Sequence, residues 1–194
     1  MGKIYSIIGK SGCGKGTQAK LLSESIKSPI IVMSDLLRKE IEAKTDLSRK
    51  VREMVENGIF IPGDIIQTIT EKYIPDNFLK NGFIFDGSNR TISQTIRFDY
   101  YLWKQGLEQT RVFLLDISDE VALERRIARN EDALKLGKQI RQDDADLRIF
   151  QNRLKEYAID FEIIEQYFGM NNKLVKIDGD ADIYDIHDEI MGYI

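Results

Sequence analysis

A chain of 194 residues that is 42% hydrophobic and 31% charged carries enough apolar material for one sizeable core and has the composition of a soluble globular protein. Its formal net charge of −4, without any basic block, argues against a nucleic-acid surface, and its single cysteine excludes an internal disulfide or a thiolate zinc cluster. That cysteine usage suits a reducing, cytoplasmic setting, no apolar run approaches membrane-spanning length, and Met1-Gly2-Lys3 enters the first strand without the apolar region of a signal peptide.

Along the chain, Ile4 to Ile8 is a short apolar run that predicts a buried strand. The turn after it, Gly9-Lys10-Ser11-Gly12-Cys13-Gly14-Lys15-Gly16-Thr17, leads straight into a helical pattern from Gly16 to Ile26. Glycines reach φ > 0 and let the backbone approach a ligand, so successive N–H groups of such a turn can face phosphate oxygens at the positive end of a helix. Lys15 adds a mobile cation for the terminal phosphates. The spacing fits the G-x-x-x-x-G-K of a phosphate-binding loop, except that Gly16 follows the lysine and the hydroxyl is displaced to Thr17. A lone glycine pair would be only a tight connection; four glycines, a lysine and a threonine between strand and helix point to nucleotide phosphates. Cys13 reads as a small residue within the loop.

Pro29 to Val32 reads as the second strand, with helices over Asp35 to Ala43, Leu47 to Glu56 and Asp64 to Tyr73, the middle one stopped by Gly58. Phe83 to Phe85 is the third strand and ends in Asp86-Gly87; Ser93 to Gln105 is a helix and Val112 to Leu115 the fourth strand. Ser118 N-caps a helix from Asp119 to Arg129 that carries acids in its first turn. A long helix near Asp144 to Phe168, a strand from Leu174 to Ile177 and a helix from Ile183 to Tyr193 complete the pattern. Alternating strands and helices imply one domain with a parallel sheet covered on both faces, binding ligands at the strands' carboxyl ends.

Phosphoryl transfer asks a protein to align two substrates, exclude water and surround the migrating group with positive charge. Arg38, Arg90, Arg125, Arg129, Arg141 and Arg153 are candidates for that charge, and Asp86, ending a strand, is placed to orient magnesium through water. Arg125 and Arg129, four apart, share one helix face, whereas Arg126 should point elsewhere, into solvent. Each arginine alone would read as a solvated surface charge; their contexts taken together carry the argument. His187, among Asp185, Asp188 and Glu189, lacks the setting of a catalytic imidazole. The run Asp178-Gly179-Asp180-Ala181-Asp182 imitates a calcium loop but has Ile183 where glycine is required, so a helix-capping loop is the better reading. Trp103, with Phe98 and Tyr101, reads as core packing.

In this order, several segments resemble the adenylate kinases. They are Gly9 to Leu22, Ser34-Asp35-Leu36-Leu37-Arg38, Asp86-Gly87-Ser88-Asn89-Arg90-Thr91-Ile92-Ser93-Gln94 beside the family's DGFPRT-x-x-Q, Arg125 to Arg129, and Arg141-Gln142-Asp143-Asp144 with Arg153 to Tyr157. The resemblance implies a P-loop α/β fold of three layers around a five-stranded parallel sheet. It also implies a monophosphate-binding flap over residues 34–64 and a short lid over 130–141 without zinc. It implies transfer between MgATP and AMP in a monomer. ATP would be held by Gly12, Cys13, Gly14, Lys15, Gly16, Thr17 and Arg129, with Arg125 on the adenine and Gly179-Asp180-Ala181 closing that pocket. AMP would be gripped by Arg38, Arg90, Arg141 and Arg153, or Arg148 in place of Arg153 if the helix begins in another register. Gln94 and the main chain of Ile59, Phe60, Ile61 and Gly87 would meet its base and ribose. Two departures fall in the acceptor site: Met33-Ser34 where the family has threonine-glycine, and Ser88-Asn89 where it has phenylalanine-proline. They leave open a kinase for UMP or CMP, or a nucleotide-binding protein with little transferase activity.

Overall fold

The computed structural model describes residues 2–87, 89–137 and 146–194. Five strands, β1 (Lys3–Gly9), β2 (Ile30–Val32), β3 (Gly82–Asp86), β4 (Arg111–Asp116) and β5 (Leu174–Asp178), form one all-parallel sheet in the order β2-β3-β1-β4-β5. The helices between them are α1 (Lys15–Ile26), α2 (Met33–Glu42), α3 (Asp46–Glu56), α4 (Gly63–Tyr73), α5 (Asp76–Asn81), α6 (Ile92–Lys104), α7 (Asp119–Lys135), α8 (Leu147–Met170) and α9 (Ile183–Met191). The expected three-layer α/β fold is therefore present.

Strand alternation assigns the two cores. Ile4, Ile8, Phe83, Phe85, Val112 and Leu114 face one side, where the first two phenylalanines join a cluster with Met33, Leu36, Val51, Ile66 and Phe98. Tyr5, Ile7, Ile84, Phe113 and Leu115 face the other, packed with Ala19 and Leu22 of α1 and Ile186 and Ile190 of α9. The ring of Phe85 meets that of Phe98 edge-on at 4.7 Å between centroids, the arrangement that aromatic quadrupoles favour.

Sequence expectations and structure part at identifiable places. Helix α5 went unforeseen, because six residues hold too few turns to show a period. Helix α7 continues six residues past Arg129, through Lys135, into the segment expected to begin a lid. Trp103 is not core: Phe98 and Tyr101 are buried, but Trp103 is 71% exposed and stacks on Tyr100 at 5.9 Å. The helical turn that buries Phe98, Tyr101 and Leu102 sends residue 103 outward with Ile96 and Tyr100.

The register brings Gly9 level with Leu115, Ile7 and Val32 level with Asp86, and Asp116 level with Asp178, so five strand ends open on one edge. The chain passes from β1 to one side of the sheet and then, after β3, to the other. The loop after β1 thus lies at the crevice where the strand order reverses.

Candidate active site

A cleft of about 980 Å³ opens at that crevice. Its floor is the loop between β1 and α1. Gly9 and Gly12 adopt φ of +142° and +94°, and a Cβ at either would collide: 2.6 Å from the Leu115 carbonyl oxygen at Gly9, 2.9 Å from that of Ala122 at Gly12. Only glycine lets the loop lie so close to β4 and α7. Lys15 curls back over the turn, its Nζ donating to the carbonyls of Gly9 at 2.9 Å and Lys10 at 2.6 Å. The ammonium is thereby held at the loop's rim, beside the positive end of α1. Gln18 ties α1 to the far side of the cleft, its Nε2 donating to the Ile183 carbonyl at 2.8 Å.

Cations converge on this floor from separate elements. Arg38, Arg90, Arg125, Arg129 and Arg153 all line the cleft, as do Gly12, Cys13, Gly14, Lys15, Gly16, Thr17, Phe60, Asp86, Gly87 and Ala181. Arg125 donates from Nη1 to the Gly179 carbonyl at 2.8 Å and from Nη2 to Asp180 at 3.2 Å, joining α7 to the loop after β5. Arg38 pairs with Asp35 one helical turn earlier, and Arg90 donates from Nε to the Gly87 carbonyl at 3.2 Å with its guanidinium 5.7 Å from the Phe60 ring. Asp86 ends β3 beside the loop, its Oδ2 3.4 Å from where a Cβ on Gly16 would stand. Of the two arginines left open by register, Arg153 is in the cleft lining, while Arg148 is paired with Asp146 at 3.0 Å at the exposed start of α8.

Not every candidate reaches the cleft. Met33 begins α2 directly after β2 and is only 3% exposed, packed into the core, so Ser34 and Asp35 line the cleft instead. Ile59 and Ile61 are expected to act through their main chain; the side chain of the first is exposed and that of the second buried. Gln94 is buried as a strut: its Nε2 donates to the Ile61 carbonyl at 2.7 Å and its Oε1 accepts the Arg90 amide at 3.1 Å. Asn89 is buried with φ of +56°, and its amide nitrogen donates to Gln109. Arg141 and Ser88 lie outside the described residues. Arg126 corrects an expectation: it is only 7% exposed, with its guanidinium 5.4 Å from the Phe150 ring, because α8 covers that face of α7.

Tyr157 carries no sequence signal of its own. It lies four residues beyond Arg153, on the same face of α8, and lines the cleft almost fully buried; burial pushes its phenol well above the usual range. Glu40 was likewise unforeseen. Although it lies on α2 it is fully buried, accepting hydrogen bonds from Thr45 at 2.9 Å, Lys72 at 2.7 Å and Tyr73 at 3.0 Å, which knit α2, the start of α3 and α4 together. Burial pushes its carboxyl up, but these donors outweigh that effect and hold it below the ordinary carboxylate value. No spacing rule identifies such a hub, since its partners lie 5, 32 and 33 residues away.

The family model for adenylate kinase matches residues 7–173. The chain belongs to the adenylate kinase family. It is 31% identical over 188 residues to an adenylate kinase of Chelativorans sp. (strain BNC1), covering 97% of this chain and 96% of that one. Against the adenylate kinase of Azobacteroides pseudotrichonymphae the identity is 34%, covering 95% and 93%, and against that of Rhizobium meliloti 32%, covering 94% and 95%. Membership extends over both departures noted in the acceptor segment. Structurally, Asn89 explains one of them: proline is confined to φ near −65° and has no place at +56°, whereas asparagine tolerates the left-handed region.

Proposed function

We propose that this adenylate kinase family member transfers a phosphoryl group reversibly from MgATP to AMP, giving two ADP. The observation that supports it most is the convergence, in one cleft, of the glycine-rich loop with five arginines drawn from α2, the β3–α6 loop, α7 and α8. One anionic nucleotide needs the loop; a second cationic shell opposite it suits a second phosphate-bearing substrate.

In the proposed reaction an oxygen of the AMP phosphate attacks the γ-phosphorus of ATP in line. A new P–O bond forms as the bond from the γ-phosphorus to the β–γ bridging oxygen breaks, leaving ADP on each side. The attacking phosphate is already an anion, so no side chain need take a proton. Lys15 and the arginines screen the repulsion between the two phosphates and stabilise the charge spread over the migrating group. Arg129 and Arg125 belong to the donor side, with Arg125 and the Gly179 to Ala181 segment flanking the base. Arg38, Arg90, Arg153 and Arg141 belong to the acceptor side. Asp86, beside Gly16, would hold through water the magnesium that accompanies ATP, and that ion would supply further positive charge to the phosphates. Closure of the flap, residues 34–64, and the lid, residues 130–141, excludes water that would otherwise hydrolyse ATP.

The same reading takes the enzyme as a cytoplasmic monomer, and its single cysteine suits a reducing compartment. Among the described residues no helix is long and apolar enough to cross a membrane. The test is a coupled ADP-formation assay with AMP, CMP, UMP and GMP as acceptors, on wild type and Lys15→Ala. AMP should give the highest initial rate and the variant should lose it. A faster rate with another base overturns the choice of acceptor, and ATP binding without AMP-dependent turnover overturns the enzyme.

A further inference from the structure

On the face of β1 that carries Ile4 and Ile8, the residue between them is Ser6, fully buried. Its hydroxyl donates to Gln109 Oε1, and the same oxygen accepts from Asn89 Nδ2 at 3.0 Å. Gln109, also without exposure, donates from Nε2 to Asp99 Oδ1 at 2.6 Å, and Asp99 Oδ2 accepts from the Tyr167 hydroxyl at 2.7 Å. A polar chain thus runs through the apolar layer from α8 and α6 to the loop that follows β3.

The polarity of this chain is fixed at one end. A carboxylate only accepts, so the Gln109 NH2 group must face Asp99 and its oxygen must face Ser6 and Asn89. Position 89 therefore requires a donor. It also requires a residue that tolerates the left-handed backbone, and Asn89 satisfies both at once. Immediately beyond it, the Arg90 amide is bound by Gln94 and the Arg90 guanidinium by the Gly87 carbonyl. A loop that carries a cleft arginine is thus pinned inward by one side chain and sideways by the next.

We propose that Asn89 is a positioning residue for the acceptor side of the cleft, anchored by Gln109, and that this anchor sets the direction from which Arg90 meets the acceptor phosphate. The proposal rests on the kinase reading for its substrate but not for its geometry. It predicts an order that neither shape nor backbone conformation alone would produce. Glycine keeps the left-handed backbone and loses the donor; aspartate keeps the shape and places an acceptor against an acceptor.

The experiment compares wild type, Asn89→Gly, Asn89→Asp and Gln109→Leu by steady-state kinetics in both substrates and by hydrogen exchange at the Arg90 amide. In Asn89→Gly the KM for AMP should rise roughly fivefold, the loss of one hydrogen bond, while the KM for MgATP stays within about twofold. Asn89→Asp should be worse, and Arg90 exchange should accelerate in every variant that folds. An Asn89→Gly variant whose Arg90 exchange matches wild type overturns the anchor whatever the kinetics show. An Asn89→Asp variant as good as wild type overturns the donor requirement, and equal rises in both KM values overturn the acceptor-side assignment. If wild type shows no turnover with AMP, the kinase reading fails, and Arg90 exchange still decides whether Asn89 holds the loop.

Discussion

The loop after β1 and the loop after β3 flank the same cleft and are built by opposite means. The first is held by its own backbone: glycines wedged against Leu115 and Ala122, and Lys15 folded onto the carbonyls of Gly9 and Lys10. The second is held by side chains reaching from distant segments, Gln94 to Ile61 and Asn89 to Gln109. A backbone-built loop needs a contiguous run of particular residues, whereas a side-chain-built loop needs partners that folding alone brings near. The first can change little; the second can be rebuilt with other residues, as Ser88-Asn89 in the place of phenylalanine-proline illustrates.

The sharpest way to break this contrast is Lys15→Ala. Removing a cation aimed at transition-state charge should lower kcat/KM about 10³-fold, roughly 4 kcal/mol, without a matching loss of thermal stability. Stopped or coupled assays beside a melting curve would check it; a comparable collapse in stability would mean that the lysine chiefly staples its own loop. Next, Arg153→Ala should cost about 100-fold in kcat/KM for AMP, near 2.7 kcal/mol, while Arg148→Ala should leave the rate within about twofold. Equal effects would return the register question to where the sequence left it.

Glu40→Ala tests the flap rather than the chemistry. Stranding the Tyr73 hydroxyl, and leaving Thr45 with Ser48 as its partner, should cost about 2 kcal/mol in denaturant unfolding, with little added from Lys72, whose side chain is 44% exposed and returns to water. The pH dependence carries a definite sign. Because folding lowers the Glu40 carboxyl, its contribution is fully present above the unfolded-state value, 4.5, and is lost as pH falls through the lower folded value. Unfolding midpoints measured from pH 7 down to 3 should therefore fall more steeply for wild type than for Glu40→Gln. Smaller still, Asn89→Pro restores the family residue yet should destabilise by more than about 1 kcal/mol, since proline cannot take φ of +56°. A gain in melting temperature would show that the loop accepts the other geometry. Last, Trp103→Ala, on the exposed side of α6, should change stability by no more than about 0.5 kcal/mol and leave both KM values unmoved.

The same contrast explains what the sequence disclosed. The strand alternation and the glycine-rich turn followed from contiguous motifs and from their order along the chain, whereas the hydrogen bonds of Arg125 to Gly179 and Asp180 were not legible there. Ser118 caps α7 and Asp182 caps α9 as their local patterns indicate. Errors arose where a side chain's surroundings come from elsewhere. The pattern of α7 alone points Arg126 to solvent, but α8 covers it. Met33, which the resemblance puts at the acceptor site, begins the helix directly after β2, and its side chain lies in the core. Glu40 and Gln109 gave no sign at all, since a buried carboxylate or amide looks like a surface residue until its partners are known.

The bare glycines have a consequence for how the turn can vary. Any side chain at Gly9 or Gly12 would have to push the Leu115 or Ala122 carbonyl away, so neither position can be substituted without lifting the turn off the edge of the sheet.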